Sequence, residues 1–233
     1  MATDEQRRPK SAGPVPGADT VLESSGATPD PGGRASQEMN ERFNYDEIVA
    51  LVESGSSVLD LGCGTGELLL RLTTERDCKG RGVDIEEEMI RHCIRRGISV
   101  FQGDLDEGLK DYPTASYDYV ILNETLQMIR EPDRLLAEMA RVGRRIIVNF
   151  PNFGYILNRV QLGILGRMPE NKNLPYKWYN TPNIHFCTRR DFFALAAEVG
   201  LRIDRTIYLH RGRRIPSFLP NLFATEICSV LYR

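Results

Sequence analysis

Short apolar runs alternate with amphipathic stretches along residues 40–233. The runs are four to nine residues long and rich in Val, Ile, Leu and Tyr, a pattern typical of buried strands. Strands are predicted over Ser57–Leu61, Gly82–Ile85, Ile98–Gln102, Tyr117–Leu122, Arg145–Phe150, Leu201–Leu209 and Thr225–Tyr232. Apolar residues three and four positions apart predict helices over Asn40–Ser54, Thr65–Thr74, Glu86–Arg96, Pro132–Gly143 and Thr188–Gly200.

Two of these helices carry clear boundary signals. The helix Glu86–Arg96 has acidic residues in its first turn and Arg95 and Arg96 in its last, an arrangement that opposes the helix dipole. Gly97 follows and suits the left-handed position after a helix. Thr188 and Asp191 have the spacing of a capping box, which predicts a helix start there.

Strands separated by helices indicate a mostly parallel sheet in one α/β domain, residues 39–233. Residues 1–38 are rich in Pro, Gly, Ser and Ala, so we expect a disordered tail. The irregular stretch 151–187 is too long for an ordinary connection. It is predicted to be an inserted lid or a partner-binding region.

Composition argues against several classes of protein. The 30 basic and 32 acidic residues create no overall field that would attract nucleic acid. The five cysteines form no Cys-x-x-Cys pair, so neither a disulfide framework nor a metal site is expected. The sequence shows no signal peptide and no membrane-spanning stretch, and the expected location is the cytoplasm.

The glycine-rich segment Asp60-Leu-Gly62-Cys-Gly64-Thr-Gly66 leaves the first strand and enters a helix. Glycines permit a tight turn and a close approach of the backbone to a ligand. The spacing differs from the dinucleotide fingerprint, whose third glycine would fall at Glu67. A carboxylate at Asp60 would repel a pyrophosphate, but it suits the ammonium group of a methionine moiety. A tight structural turn remains the alternative.

Acidic residues also end the next two strands. Asp84 lies where a side chain can reach the ribose hydroxyls of a ligand on the first helix. Asp104 could accept a hydrogen bond from an adenine amine, with Leu105 against the ring. Each acid could also be a solvated turn residue. Together they fall at the edge where open α/β sheets bind ligands.

This combination resembles the class I S-adenosylmethionine-dependent methyltransferases over residues 40–233. The resemblance implies a Rossmann-like sheet of seven strands in the order 3-2-1-4-5-7-6, with the last strand antiparallel and helices on both faces. It also implies a site for S-adenosylmethionine or S-adenosylhomocysteine. The expected cofactor-binding residues are Asp60, Gly62, Gly64, Gly66, Asp84, Ile85, Asp104, Leu105 and Asn123.

The inserted region resembles a narrower family, the MetW proteins of methionine biosynthesis. The resemblance rests on the sequence segments Phe150-Pro-Asn-Phe-Gly-Tyr155, Gly166-Arg-Met-Pro169, Leu174-Pro-Tyr-Lys-Trp-Tyr179 and Thr181-Pro-Asn-Ile-His185. It implies an association with a MetX-like homoserine O-acyltransferase, the enzyme that acylates the homoserine hydroxyl. Residues 1–38 are not covered by this resemblance.

Methyl transfer depends largely on alignment, so the sequence need not show a catalytic residue. The candidates are Glu124, after the fourth strand, and His185, in the insert. Both also have structural interpretations, in a turn and in packing or capping. Two hypotheses follow: a ligand-binding protein that supports the acyltransferase, and an active methyltransferase on a small acceptor.

Overall fold

The computed structural model describes residues 44–233 and contains one eight-stranded sheet among them. The predicted tail, residues 1–38, lies outside the described residues. So do the first residues of the predicted first helix, from Asn40 to Phe43. The strands are β1 (Ser57–Leu61), β2 (Lys79–Asp84), β3 (Val100–Gln102), β4 (Tyr117–Asn123), β5 (Gly143–Pro151), β6 (Arg202–His210), β7 (Arg213–Arg214) and β8 (Glu226–Tyr232).

The strand order is β3-β2-β1-β4-β5-β8-β6-β7. The strands from β1 to β5 pair in parallel, whereas β8 lies antiparallel between β5 and β6. The predicted order and the antiparallel last strand are therefore confirmed. The additional strand β7 is a two-residue hairpin partner of β6 at the sheet edge.

Helices cover both faces of this sheet, as predicted. They are α1 (44–51), α2 (Glu67–Arg76), α3 (Glu87–Arg95), α4 (Pro132–Val142), α5 (Ile156–Gly163), α6 (Arg189–Glu198) and α7 (Pro220–Phe223). Side chains of α1, α2 and α3 pack together in one hydrophobic cluster. Those of α4 and α6 pack in a second cluster, which also contains Phe150 of β5. Two apolar layers therefore hold the sheet between them.

The predicted helix boundaries near α3 and α6 are confirmed. Gly97 adopts a left-handed φ of 74°, and the N–H of Ile98 donates to the Cys93 carbonyl, which closes α3. This closure explains why β3 begins at Val100 and not at Ile98. At α6, the Thr188 side chain and Asp191 form the complete capping box.

The structure differs from prediction mainly in the connections. The insert contains helix α5 and an isolated bridge between Asn171 and Leu174, so it is not irregular throughout. Between β3 and β4, the chain makes only a 3₁₀ turn, Leu105–Glu107. Helix α2 begins at Glu67, two residues after the predicted start, because the glycine loop extends to Gly66.

Candidate functional site

The glycine loop leaves β1 at the carboxyl edge of the parallel strands. Gly62, Gly64 and Gly66 all adopt positive φ angles, between 53° and 76°. A Cβ on Gly66 would lie 2.5 Å from the Ile98 Cδ1 atom, whereas a Cβ on Gly64 would meet nothing within 4 Å. The loop is therefore packed closely at Gly66 and open at Gly64, where its backbone can receive a ligand.

The end of β2 anchors this loop. The Val83 carbonyl accepts hydrogen bonds from the N–H groups of Gly62 and Cys63, at 2.8 and 3.1 Å. The buried Asp84 carboxylate accepts from the Gly64 N–H at 2.7 Å and from the Glu86 N–H at 3.0 Å. A carboxylate has about four acceptor positions, so Asp84 retains capacity for the hydroxyls of a ribose.

Asp60 lies at the other side of the loop and is buried. Its Oδ1 atom is buried without a hydrogen-bond partner among the described residues. Burial, with the charge of Asp84 adding to it, raises the pKa of Asp60 to about 7. A buried carboxylate of this kind would be stabilised by a cationic group, which is what the ammonium end of a methionine moiety offers.

Three predicted cofactor-binding residues, Ile85 and the two predicted adenine contacts Asp104 and Leu105, are placed differently from one another. Ile85 is 59% exposed at the end of β2, where its apolar side chain can cover a ring. Asp104 is exposed, and its Oδ1 atom caps the 3₁₀ turn by accepting from the Asp106 N–H. Leu105 is buried in the core, so its side chain serves packing. An adenine would meet it through the backbone.

The end of β4 faces the same edge of the sheet. Asn123 accepts a hydrogen bond from the Asn149 Nδ2 atom at 2.9 Å. Glu124 adopts a φ of 54°, a left-handed conformation that is uncommon outside glycine. Strained residues of this kind are concentrated at functional sites. The sequence pattern gives no signal for this conformation.

A cavity of about 180 Å³ opens beside Glu124. It lies between the β4 end, the insert and β8, and its lining residues include Glu124, Gln127, Lys172, Asn173, Asn183 and Glu226. His185 is not among them; its Nε2 atom lies 3.4 Å from the Arg130 carbonyl. The two catalytic candidates are therefore not brought together in this cavity.

Two loop contacts were not predicted from the sequence. The Cys93 thiol donates to the Gly64 carbonyl at 3.3 Å. Burial raises the pKa of the Cys63 and Cys93 thiols, so both are packing groups and not nucleophiles. A Cβ on Gly62 would lie 2.5 Å from the Thr125 Oγ1 atom, so the turn after β4 closes directly against the loop.

Within residues 44–233, no group of three or more His, Cys, Asp or Glu residues could hold a metal ion. None of the helices described there combines the length and apolar content required to span a membrane.

Comparison with known proteins identifies a family that matches most of the chain. The family profile described as methionine biosynthesis protein MetW matches residues 42–231. The bifunctional methionine biosynthesis protein MetXA/MetW of Rhodopirellula baltica is 37% identical over 205 residues. This match covers 82% of the present chain but only 33% of that protein.

Solved structures agree on the fold. A S-adenosylmethionine-dependent methyltransferase from Archaeoglobus fulgidus matches with a TM-score of 0.64 and 17% identity, over 88% of this chain and 100% of that one. Magnesium protoporphyrin IX methyltransferase from Synechocystis PCC 6803, solved with bound S-adenosylhomocysteine, matches with a TM-score of 0.62 and 20% identity, over 86% of each chain. The predicted Rossmann-like methyltransferase fold is thus confirmed.

The buried Asp60 predicts a pH-dependent contribution to stability. Its pKa is raised from 3.8 to about 7 in the folded chain, so between these values only the folded state holds the proton. The contribution is complete below about pH 4 and is lost as the pH rises towards 7. Urea unfolding should show that wild type loses stability relative to Asp60→Asn between about pH 5 and about pH 7.5. An unchanged difference between the two proteins would contradict this.

Proposed function

Because the chain belongs to the MetW family of methionine biosynthesis proteins, we propose that it binds S-adenosylmethionine or S-adenosylhomocysteine and supports a homoserine O-acyltransferase by forming a complex with it. The ligand occupies the cleft at the carboxyl ends of β1, β2 and β4. The complex is the functional unit in methionine biosynthesis.

The observation that carries the proposal is one relative, which is described as a bifunctional MetXA/MetW protein. In the Rhodopirellula baltica protein, a segment 37% identical to this chain shares a polypeptide with MetXA. Joining two modules raises their effective concentration and favours their association. The same association between separate polypeptides requires a docking surface, and a MetX-like acyltransferase is the expected partner of this chain.

The cleft fits the proposed ligand in four respects. Asp60 supplies a buried acceptor for the ammonium group, and Asp84 has acceptor positions left for the ribose. The exposed side chain of Ile85 offers an apolar face to the adenine. Gly64 leaves room for the ligand to approach the loop. We also propose that Asp104, Leu105 and Asn123 contact the ligand, as part of the same cofactor-binding set.

The ligand also has a regulatory part in this proposal. S-adenosylmethionine is a product formed downstream of methionine, so its binding reports methionine status to the acyltransferase. A ligand that changes the affinity for a partner must have its own affinity changed by the same factor. Coupling of this kind is typically 5- to 150-fold.

A second function, methyl transfer to a small acceptor, is favoured by Glu124. Its strained backbone and the 180 Å³ cavity beside it lie at the β4 end, next to the proposed methionine moiety. A carboxylate in this position could take a proton from an acceptor. Residues of the insert line one side of this cavity and would then form part of the acceptor pocket.

Asp84→Ala is expected to weaken binding of S-adenosylmethionine by about 2 kcal/mol or more, roughly thirtyfold in Kd. The change removes the ribose acceptor and also the acceptor of the Gly64 N–H. Isothermal titration calorimetry on the folded full chain measures the effect. Asp204→Ala, an exposed acid on β6, is the matched control and should bind normally. Equal Kd values for the two variants would mean that the ribose lies elsewhere.

The complex is tested by mixing the full chain with purified homoserine O-acyltransferase. We expect a complex by size-exclusion chromatography and a changed rate of acyl transfer. Adding S-adenosylmethionine should shift the affinity about 5- to 150-fold, and the acyltransferase should shift ligand affinity equally. Absence of a complex would refute the proposed partner. Equal ligand affinity with and without the acyltransferase would refute the regulatory part.

The methyltransferase alternative predicts S-adenosylhomocysteine and a methylated product in equal amounts. Glu124→Gln should then lower turnover about 10²- to 10⁴-fold, the usual contribution of a general base, with ligand affinity retained. His185→Gln, assayed alongside, tests the second candidate, which lies outside the cavity. Unaltered turnover in both variants would remove these residues from the reaction.

A further inference from the structure

Large apolar side chains are exposed on the insert and on the segment before α7. Trp178 is 73% exposed, Phe218 is 73% exposed and Ile164 is 77% exposed. Single exposed apolar residues are ordinary on protein surfaces and require no explanation. A collection from two neighbouring segments is different, because monomeric proteins seldom leave contiguous apolar patches uncovered.

Phe218 and Trp178 each line one of two grooves on this surface. The first has a volume of about 350 Å³ and is almost wholly apolar; its lining includes Tyr155, Ile156, Ile215, Pro216, Phe218 and Phe223. The second is shallow, with Met168, Tyr176, Trp178 and Phe186 in its lining. Residues 153–155 join the two grooves, because the Phe153 ring stacks 4.5 Å from Phe186 and the Tyr155 ring lies 5.6 Å from His210. We call the whole surface the aromatic face.

The size of the aromatic face matches a protein interface. A large aromatic side chain buries about 150–250 Å² when it is fully covered. Five aromatic residues in its lining are 42–73% exposed, so the face can bury on the order of 400–700 Å², against the roughly 800 Å² that each partner buries in a stable complex. Trp and Tyr are also the residue types that most often dominate the binding energy of interfaces.

Charge at the rim selects the kind of partner. Residues 151–187 contain four basic residues and one acid, Glu170. Arg211 and Arg213 add positive charge from the turn beside the first groove. A two-fold dimer would place the same patch against itself, basic rim against basic rim. Since juxtaposed like charges oppose association, a second copy of this chain is disfavoured as the occupant.

We propose that the aromatic face docks a partner protein whose complementary surface is apolar at its centre and acidic at its rim. This inference rests on the proposed function, under which that partner is the homoserine O-acyltransferase. Tyr176 lines both the aromatic face and the cavity beside Glu124, whereas Trp178 and Phe218 line only the aromatic face, so these two residues can be changed without altering that cavity.

Trp178→Ala and Phe218→Ala in the full chain test the two grooves. Each should weaken the complex with the acyltransferase at least tenfold, measured by calorimetry, while the affinity for S-adenosylmethionine is unchanged. Ile94→Ala removes an equally exposed apolar side chain from α3, where Ile94 is 63% exposed. This control should leave the complex intact.

The rim is tested by the double change Arg167→Glu and Lys177→Glu. Reversing these charges should slow association and reduce the dependence of its rate on salt, since rim charges act mainly on the rate of encounter. Lys110→Glu, an exposed lysine between β3 and β4, is the matched control and should have little effect.

The outcomes separate the docking surface from the proposed function. If wild type binds the acyltransferase and all the aromatic-face variants bind equally well, the docking surface is wrong and the proposed function stands. If wild type forms no complex, the proposed function fails and the docking proposal fails with it. If sedimentation shows a dimer of the isolated chain that Trp178→Ala dissociates, the occupant is a second copy and the proposal is overturned.

Discussion

The hydrogen bond from the Gly64 N–H to the Asp84 carboxylate, 2.7 Å long, sets the geometry of the cleft. It ties a loop with left-handed backbone angles to the end of β2. Because the acceptor is a carboxylate, this hydrogen bond is stronger than one between neutral groups. Burial raises the pKa of Asp60 across the loop, and the charge of this carboxylate adds to that effect. The Asp84 side chain therefore holds the loop in place, contributes to the raised pKa of Asp60 and is the proposed acceptor for the ribose.

Local signals in the sequence were sufficient for much of the fold. The pattern of apolar runs predicted the sheet, while Gly97 and Thr188 predicted helix ends that the structure confirms. Each of these features depends on residues close in sequence. The order of the strands came from the family resemblance, because pairing between strands is decided by contacts that periodicity does not record.

The remaining features depend on contacts distant in sequence. The thiol of Cys93 reaches the Gly64 carbonyl across 29 positions, and Thr125 meets Gly62 from a different strand end. The left-handed Glu124 has no signal, since nothing in its residue type favours positive φ. Helix α5 in the insert spans only eight residues, too few for a clear helical periodicity, so the sequence pattern does not predict it. Candidate residues could thus be named from the sequence, but not their present hydrogen bonds.

Gln127 connects the cleft to the insert. Its carbonyl accepts from the N–H groups of Ile184 and His185, both at 3.0 Å, and its Nε2 atom donates to the Glu124 carbonyl at 2.6 Å. A ligand that shifts the β4 end therefore acts on the same hydrogen bonds that hold residues 184 and 185. Exchanging one or two such bonds is worth about 1–3 kcal/mol, the size of a typical coupling between sites. Gln127 thus joins the β4 end to the insert, and the proposed coupling between ligand and partner would act through these hydrogen bonds with no large rearrangement of the sheet.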